Sequence, residues 1–200
     1  MESFFRDGSL RLSSFAHFAK HQDEQLRDTA EGIGSRLGVG SQATIGMVGG
    51  RGSDCFVLCA TIHNTEGVRE QFGHSNACIA IDNIVGFANA VSLKLPYFTQ
   101  GFEGPVICKN DTTIYKDIGA MKPDELIEKY KNPDGSIRME MLQDMAGMTG
   151  GIEEYFIKHS RHAKECEYRL LWATSQTIDP FIDIKVPDAL QFCRHVTKES

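Results

Sequence analysis

The sequence predicts an α+β protein in which small mixed or antiparallel sheets are flanked by helices. Strand-like runs occupy residues 55–61 and 77–81, a mainly helical insertion follows over 120–158, and the chain then returns to strands. Because this order is mixed and shows no internal repeat, α+β is the class that it favours. Two hundred residues are enough for one buried core, so we treat 1–200 as a single domain.

A strand and a helix are predicted near the start of the chain. Residues 9–13, SLRLS, alternate polar and apolar side chains as a short strand does. Phe15 and Phe18 then fall on one face of a helix that Ser14 is placed to cap. Segment 32–52 holds eight of the chain's 19 glycines without a phosphate-binding glycine motif. We interpret it as a glycine-rich loop, either mobile or a hairpin, and a loop that covers a substrate is the functional alternative.

Two strands and a helix are predicted in the middle of the chain. The continuous apolar run 55–61 is typical of a strand that is buried on both faces. Segment 77–81 is the next strand, and Asp82 or Asn83 is placed to cap a helix that ends near Leu93.

A strand pair is predicted before the helical stretch. Residues 105–109 and 113–116 read as two strands that turn at Asn110-Asp111 and pair with each other. Pro123 suits the first turn of a helix, and Pro133-Asp134-Gly135 is a turn sequence.

Strands are predicted again towards the end of the sequence. Residues 165–174 form one apolar run, and 181–186 alternate apolar and polar side chains as a second strand. A final short helix is expected to carry Leu190 and Phe192.

The composition argues against several classes of protein. The 21 Lys and Arg against 27 Asp and Glu give a net charge of −6, so a nucleic-acid-binding protein is not expected. No apolar run approaches the roughly 18 residues of a membrane span, and no secretory signal pattern is present. The six cysteines are typical of reduced thiols, so we expect a cytoplasmic protein without a cysteine metal site.

A charged motif lies on the predicted strand 165–174. Residues two apart share a face of a strand, so Glu165, Glu167 and Arg169 are expected to point the same way. Burying these charges is costly unless they pair or bind something, so the face either lines a cleft or is solvated. In a cleft, a glutamate can bond a ribose hydroxyl or stabilise an oxocarbenium-like transition state. The segment 155–171 holds four basic and two acidic residues, which suits an anionic ligand such as a dinucleotide.

Two further polar clusters are candidate sites. Arg27, Asp28 and Glu31 follow the first helix and can hold a polar ligand or brace their own loop. The second cluster shares one face of that helix and could coordinate a divalent metal. Its members are His17, His21, Glu24 and Asp28. Exposed histidines without a metal are the alternative, and we do not assign a metal site.

Three segments resemble a family of uncharacterised bacterial proteins. The opening FFRDGSLRLSSFAHFAKHQDEQLRDTAEG resembles the strand, helix and Arg-Asp-x-x-Glu-Gly motif with which that family begins. The middle FVLCATIHNTEGVREQFGHSNACIAID resembles its two central strands. FIKHSRHAKECEYRLLW resembles its late Glu-x-Glu-x-Arg strand. The family's layout is similar to the ADP-ribosyltransferase fold, which binds NAD between two small sheets.

This resemblance implies a site as well as a fold. Ser13 or Ser14 matches the second-strand position of that fold, and Glu165 or Glu167 matches its late catalytic glutamate. The early His or Arg of the fold has no clear counterpart, although Arg6 and Arg11 are candidates. The residues expected to bind the nucleotide are Arg11, Arg27, Asp28, Glu31 and Arg169.

The first functional hypothesis is therefore a nucleotide-using, ADP-ribosyltransferase-like protein of a toxin or phage-defence type. NAD is its expected substrate, and no other cofactor is required. Arg11 holds a phosphate or ribose, Ser13 orients the nicotinamide ribose, and Glu167 stabilises the cation that develops at the glycosidic carbon.

Two alternatives stay open. In the first, the chain is a non-catalytic binding or regulatory protein, its charged motifs brace loops, and it forms a homo-oligomer. The segment Met139 to Met148 is then an interface, and membership of the core is the competing interpretation of its methionines. In the second alternative, the helix cluster that includes His17 and His21 makes the chain a metal-dependent hydrolase.

Overall fold

The structure is a computed structural model that describes residues 2–18, 33–50, 54–72, 77–177 and 179–197. The strands are β1 Ser9–Ser14, β2 Ile33–Gly40, β3 Thr44–Gly50, β4 Cys55–Thr61, β5 Ala77–Ile81, β6 Phe98–Pro105, β7 Ile107–Lys109, β8 Ile114–Gly119, β9 Ile157–His159, β10 Glu167–Thr174, β11 Phe181–Lys185 and β12 Cys193–Thr197. The α-helices are α1 Glu2–Asp7, α2 Phe15–Phe18, α3 Glu66–Gln71, α4 Ile84–Ser92, α5 Pro123–Tyr130 and α6 Glu140–Thr149. Three 3₁₀-helices span Glu153–Phe156, Ser160–Glu165 and Pro187–Phe192.

The strands form small antiparallel and mixed sheets, which confirms the α+β class. The largest sheet has the order β11-β1-β4-β10-β6, and all its neighbours are antiparallel. A three-stranded sheet has the order β3-β2-β8, in which β2 is antiparallel to β3 and parallel to β8. Two strand pairs complete the set, antiparallel β12-β5 and parallel β7-β9.

Strand β10, near the centre of the five-stranded sheet, is largely buried because both of its faces pack against apolar side chains. On one face, Leu170 and Trp172 of β10 join the main core with α1, α4 and the last 3₁₀-helix. The Trp172 indole Nε1 lies 3.2 Å from both the Ala88 carbonyl and the Ser92 hydroxyl, so it satisfies its one donor there. On the other face, Leu171 packs with Phe15 and Tyr155 in a smaller core.

Several local predictions are confirmed. The run 55–61 forms β4 and 77–81 forms β5, with the predicted bounds. Asn83 caps α4 by accepting a hydrogen bond from the Gly86 amide at 2.9 Å. Pro123 opens α5, and Gly135 has a φ of +83° in the predicted turn.

The predicted pairing of 105–109 with 113–116 is wrong. Strands do form here, but β7 pairs in parallel with β9, and β8 pairs in parallel with β2. Asp111 accepts a hydrogen bond from the Thr113 amide at 2.9 Å, and this Asx turn redirects the chain between the two strands. Each strand therefore meets a partner that is distant in sequence, which local turn residues do not reveal.

The glycine-rich segment and the helical stretch have definite structures where they are described. Within 32–52, residues 33–50 form the hairpin of β2 and β3. Its turn is closed by a hydrogen bond of 2.8 Å from the Gly40 amide to the Ala43 carbonyl. Within 120–158, α5 and α6 are followed by the first 3₁₀-helix, and β9 begins at Ile157. The final short helix, which carries Leu190 and Phe192, is a 3₁₀-helix.

The helix predicted after Ser14 is described only as α2, and its continuation lies outside the described residues. In the described part of the chain, no helix combines the length and apolarity that crossing a membrane requires.

Gly8 joins α1 to β1 in a conformation that favours glycine. Its φ is +74°, and a Cβ at this position would lie 2.5 Å from the backbone nitrogen of Pro187. We expect Gly8→Ala to lower the free energy of unfolding by about 2–3 kcal/mol, measured by urea denaturation.

The matched control for Gly8 is Gly67→Ala in α3. A Cβ at Gly67 meets none of the described residues within 4 Å, and alanine favours a helix, so the stability of this variant should equal or slightly exceed that of the wild type. Equal unfolding midpoints for the two variants would contradict the strain assigned to Gly8.

Candidate functional site

Strand β10 places the charged motif on the inner face of the smaller core. Glu167 and Arg169 alternate with Tyr168 and share their face with Leu171, as the two-residue period predicted. Both charged residues are buried, and Arg169 has no exposed surface. The sequence suggested that this face either lines a cleft or is solvated. In the structure, Glu167 and Arg169 instead face the protein interior.

Glu165 does not lie on this strand, so the prediction that it continues the alternation is wrong. It ends the 3₁₀-helix Ser160–Glu165, and Cys166 turns the chain with a φ of +46° before β10 begins. The Cys166 carbonyl accepts a hydrogen bond from the Ile62 amide at 3.1 Å, which ties this corner to the end of β4. A left-handed residue other than glycine is uncommon, and nothing in the local sequence announces it.

Lys158 of β9 brings Glu165 and Glu167 together in spite of this turn. Its Nζ lies 3.0 Å from Glu165 Oε2 and 2.7 Å from Glu167 Oε2. The second contact is an ion pair and not a well-angled hydrogen bond. Glu167 Oε1 accepts a hydrogen bond from Arg169 Nε at 2.6 Å. We call these four residues, together with His162, the β10 ion cluster.

Arg169 is held by contacts beyond its carboxylate partner. Its Nη1 donates to the Tyr155 carbonyl at 2.6 Å, and its guanidinium carbon lies 5.2 Å from the centre of the Phe15 ring. A guanidinium suits this place because its planar donors can meet a carboxylate and a carbonyl while its face lies on an aromatic ring. The contacts join β10 to the first 3₁₀-helix and to α2.

His162 completes the cluster on the side of Glu165. Its Nδ1 lies 2.7 Å from Glu165 Oε1, and its Nε2 lies 2.9 Å from Arg161 Nε. A guanidinium can only donate, so Nε2 accepts that hydrogen bond, and Nδ1 carries the proton that Glu165 accepts. Both ring nitrogens therefore face groups of the protein.

The electrostatics of the cluster favour the ionised form of Glu167. Burial by itself would raise the pKa of Glu167, but the charges of Arg169 and Lys158 outweigh it and lower that pKa to about 2. Cys108 on β7 lies beside the cluster, and burial is the main cause of the raised pKa of its thiol. A thiol with a raised pKa is a poor nucleophile, so Cys108 adds no reactive group.

Ser13 lies on the same face of the sheet as the cluster but at a distance from Glu167. The strand register sets Ser13 beside Val57, and Val57 beside Leu171. Leu171 is four residues along β10 from Glu167, which corresponds to about 13 Å at the usual strand rise. The structure therefore brings these two predicted catalytic residues to one face without placing them in contact.

Arg11 is exposed and engaged with its neighbour strand. Its Nε and Nη2 each donate to an Asp183 carboxylate oxygen at 2.7 Å, and its guanidinium carbon lies 4.2 Å from the centre of the Phe181 ring. A surface depression of about 340 Å³ adjoins this pair. It is lined by Ser3, Ser9, Leu10, Arg11, Asp183, Ile184 and Lys185.

The remaining predicted residues lie outside the described part of the chain. These are Arg27, Asp28 and Glu31 of the nucleotide site, and His21 and Glu24 of the metal alternative. His17 is described, and its ring makes edge contacts with Phe18 and Phe181. Among the described residues, no three His, Cys, Asp or Glu side chains are grouped so that they could hold a metal ion.

A second buried ion pair was not predicted. Arg36 of β2 pairs with Glu154 of the first 3₁₀-helix, and its Nη2 also donates to the Gly151 carbonyl at 2.9 Å. The Glu154 side chain packs over Gly34, where a Cβ would lie 2.6 Å from the Glu154 Cβ. The pair attaches the glycine-rich hairpin to the segment that carries Tyr155.

Lys158 and His162 were missed as members of the cluster. The signal that could have found them is the basic composition of 155–171, since two buried carboxylates require nearby positive charges.

Comparison of the chain with protein-family models finds no match. No curated protein matches it, and no solved structure does. The fold and the site therefore rest on the residues described above.

Proposed function

We propose that the chain is a non-catalytic binding or regulatory protein that works as a homo-oligomer. The observation that carries this proposal is the engagement of Glu167 inside the protein. One oxygen of its carboxylate accepts from Arg169 and the other pairs with Lys158. A glutamate that stabilises a cation on a substrate needs an oxygen that faces that substrate, and here the protein's own cations occupy both.

In this proposal, the charged motif of β10 has a structural role, because the β10 ion cluster connects neighbouring elements of the fold. Lys158, Glu165 and Glu167 lie on three different elements: β9, the second 3₁₀-helix and β10. Among these described contacts, the cations Lys158 and Arg169 pair with the carboxylates Glu165 and Glu167. This is the loop-bracing role that the binding-protein alternative assigned to the motif.

Exposed apolar surface supports self-association. In the segment Met139 to Met148, the side chains of Met139, Leu142 and Met148 are exposed, and Met139 is 67% exposed. The outer face of the β3-β2 hairpin is a second apolar surface, because Val39 and Val48 are exposed there. Large apolar side chains exposed in groups are typical of surfaces that bind other proteins.

An NAD-using transferase is the second candidate function, and one observation favours it. Arg11, Ser13, Glu167 and Arg169 share one face of the five-stranded sheet, as the strand register requires. A ligand spanning that face would need to displace Lys158 from Glu167 before the carboxylate could reach it.

One experiment separates the two candidates. We expect light scattering behind size-exclusion chromatography to give a dimer or larger species between low micromolar and about 100 µM protein. We expect the melting temperature to be unchanged by millimolar NAD. A monomer at every concentration would remove the proposed function. A saturable rise with NAD that disappears in Ser13→Ala, a residue outside the β10 ion cluster, would favour the transferase.

A further inference from the structure

We propose that two copies of this chain associate through strand β3, which joins their three-stranded sheets into one continuous six-stranded sheet. The inference rests on the proposed self-association and names its surface. It deepens that proposal because a homo-oligomer could equally form through the segment Met139 to Met148. The choice between the two surfaces follows from backbone geometry, charge and side-chain size.

Strand β3 is at the edge of its sheet. Its order is β3-β2-β8, and no other strand in the described residues pairs with β3. The hydrogen bond from the Gly40 amide to the Ala43 carbonyl sets the alternation along the hairpin. By this alternation, the backbone N–H and C=O groups of Ile45 and Met47 point to β2. Those of Thr44, Gly46 and Val48 point to the open edge.

The residues of β3 themselves include none of the types that usually protect an edge strand against pairing. Native edge strands commonly carry a lysine, a proline or an inward-pointing charge that blocks a further strand. The sequence of β3, TIGMVGG, holds no charged residue and no proline. Val48 is 78% exposed in the middle of this strand, where an unprotected edge strand meets its partner.

The distribution of charge favours β3 over the methionine segment as the surface between two copies. Two copies of a chain with a net charge of −6 repel each other unless they meet through an uncharged region. The exposed methionines lie within 117–154, which holds nine acidic and four basic residues, so two copies that meet there repel each other more than two copies that meet at β3. The β3 edge carries no charge and imposes no such repulsion.

Side-chain sizes fit an antiparallel pairing of β3 with itself. Full overlap of the seven residues puts the two-fold axis at Met47 and sets Gly46 of each copy opposite Val48 of the other. Both residues point to the outer face, where Gly46 leaves space: among the described residues, a Cβ there would meet only Leu37 Cδ1, at 3.7 Å. Each Val48 thus fills the gap beside the other copy's glycine and extends the apolar face.

The test compares two lysine substitutions on one sheet face. Val48→Lys adds a charge at the proposed edge, and Tyr115→Lys adds the same charge on β8, at the opposite side of the sheet. Both side chains are exposed, so neither change removes a core contact. We expect Val48→Lys to weaken the dimer by at least about tenfold in dissociation constant, and Tyr115→Lys to leave it unchanged.

Hydrogen–deuterium exchange supplies a readout that needs no variant. We expect amides in the peptide that covers 44–50 to exchange more slowly as protein concentration rises through the dimer range. Protection that does not depend on concentration would overturn the β3 interface. A Val48→Lys dimer as tight as that of the wild type would also overturn the β3 interface. The proposed function would still stand in that case, because the wild type would be oligomeric. If the wild type is monomeric throughout, both proposals fail.

Discussion

We expect Glu167→Gln to lower the free energy of unfolding by about 3–5 kcal/mol at neutral pH, the usual cost of removing one partner of a buried ion pair. Glutamine keeps the size of the side chain but removes its charge. Lys158 then keeps its ion pair with Glu165, whereas Arg169 loses the charged carboxylate to which its Nε donates. Because Arg169 has no exposed surface, water cannot replace the lost partner. Guanidinium denaturation followed by circular dichroism measures the change.

Asp183→Asn is the matched control for this loss. It makes the same chemical change in an ion pair of the same sheet, and Asp183 also binds an arginine through short hydrogen bonds. The two side chains of that pair are 58% and 60% exposed, so water and salt already weaken the interaction. We expect its unfolding midpoint to stay close to that of the wild type. Equal losses in the two variants would show that burial does not determine the effect.

A double variant keeps the prediction testable if Glu167→Gln does not fold. Lys158→Met combined with Glu167→Gln removes one charge of each sign and restores the balance between Glu165 and Arg169. We expect this double variant to be more stable than the sum of the two single changes, with a coupling of about 1–3 kcal/mol. Additive losses would mean that Lys158 and Glu167 do not act as a pair.

The positions of strands and helices along the chain could be predicted more fully than the pairing of the strands with one another. The strands at 55–61 and 77–81 follow from apolar runs, and the α4 cap from Asn83, because these signals are local. Strand β8 was located as well, yet its partner is β2, far earlier in the chain. Parallel pairing has no turn sequence to mark it, so alternation along a strand shows where the strand lies without naming its neighbour.

The candidate site shows the same division between local and distant information. That Glu167 and Arg169 share a face follows from the strand period, and their burial required a pairing or a ligand. The choice of Lys158 as the partner depends on β9 reaching the same corner, which no local pattern specifies. Glu165 was misplaced because the left-handed turn at Cys166 interrupts the alternation.

We also expect the β10 ion cluster to make stability depend on pH in the acid range. The pKa of Glu167 is about 2 in the folded protein, against an ordinary value of 4.5 that we take for the unfolded chain. As pH falls below 4.5, the unfolded chain binds the proton first, so protonation favours unfolding. The stabilising contribution is therefore complete above pH 4.5, decreases towards pH 2, and amounts to about 3 kcal/mol from this shift.

The difference between the wild type and Glu167→Gln isolates this carboxylate from the others. Asp7, Asp111 and Asp183 also have lowered pKa values, but they titrate equally in both proteins and cancel in the difference. A protonated Glu167 resembles glutamine in shape and charge, so the two stabilities should converge by about 3 kcal/mol between pH 5 and 2. Urea midpoints at a series of pH values measure this convergence. A difference that stays constant across the range would mean that Glu167 is not held ionised by Lys158 and Arg169.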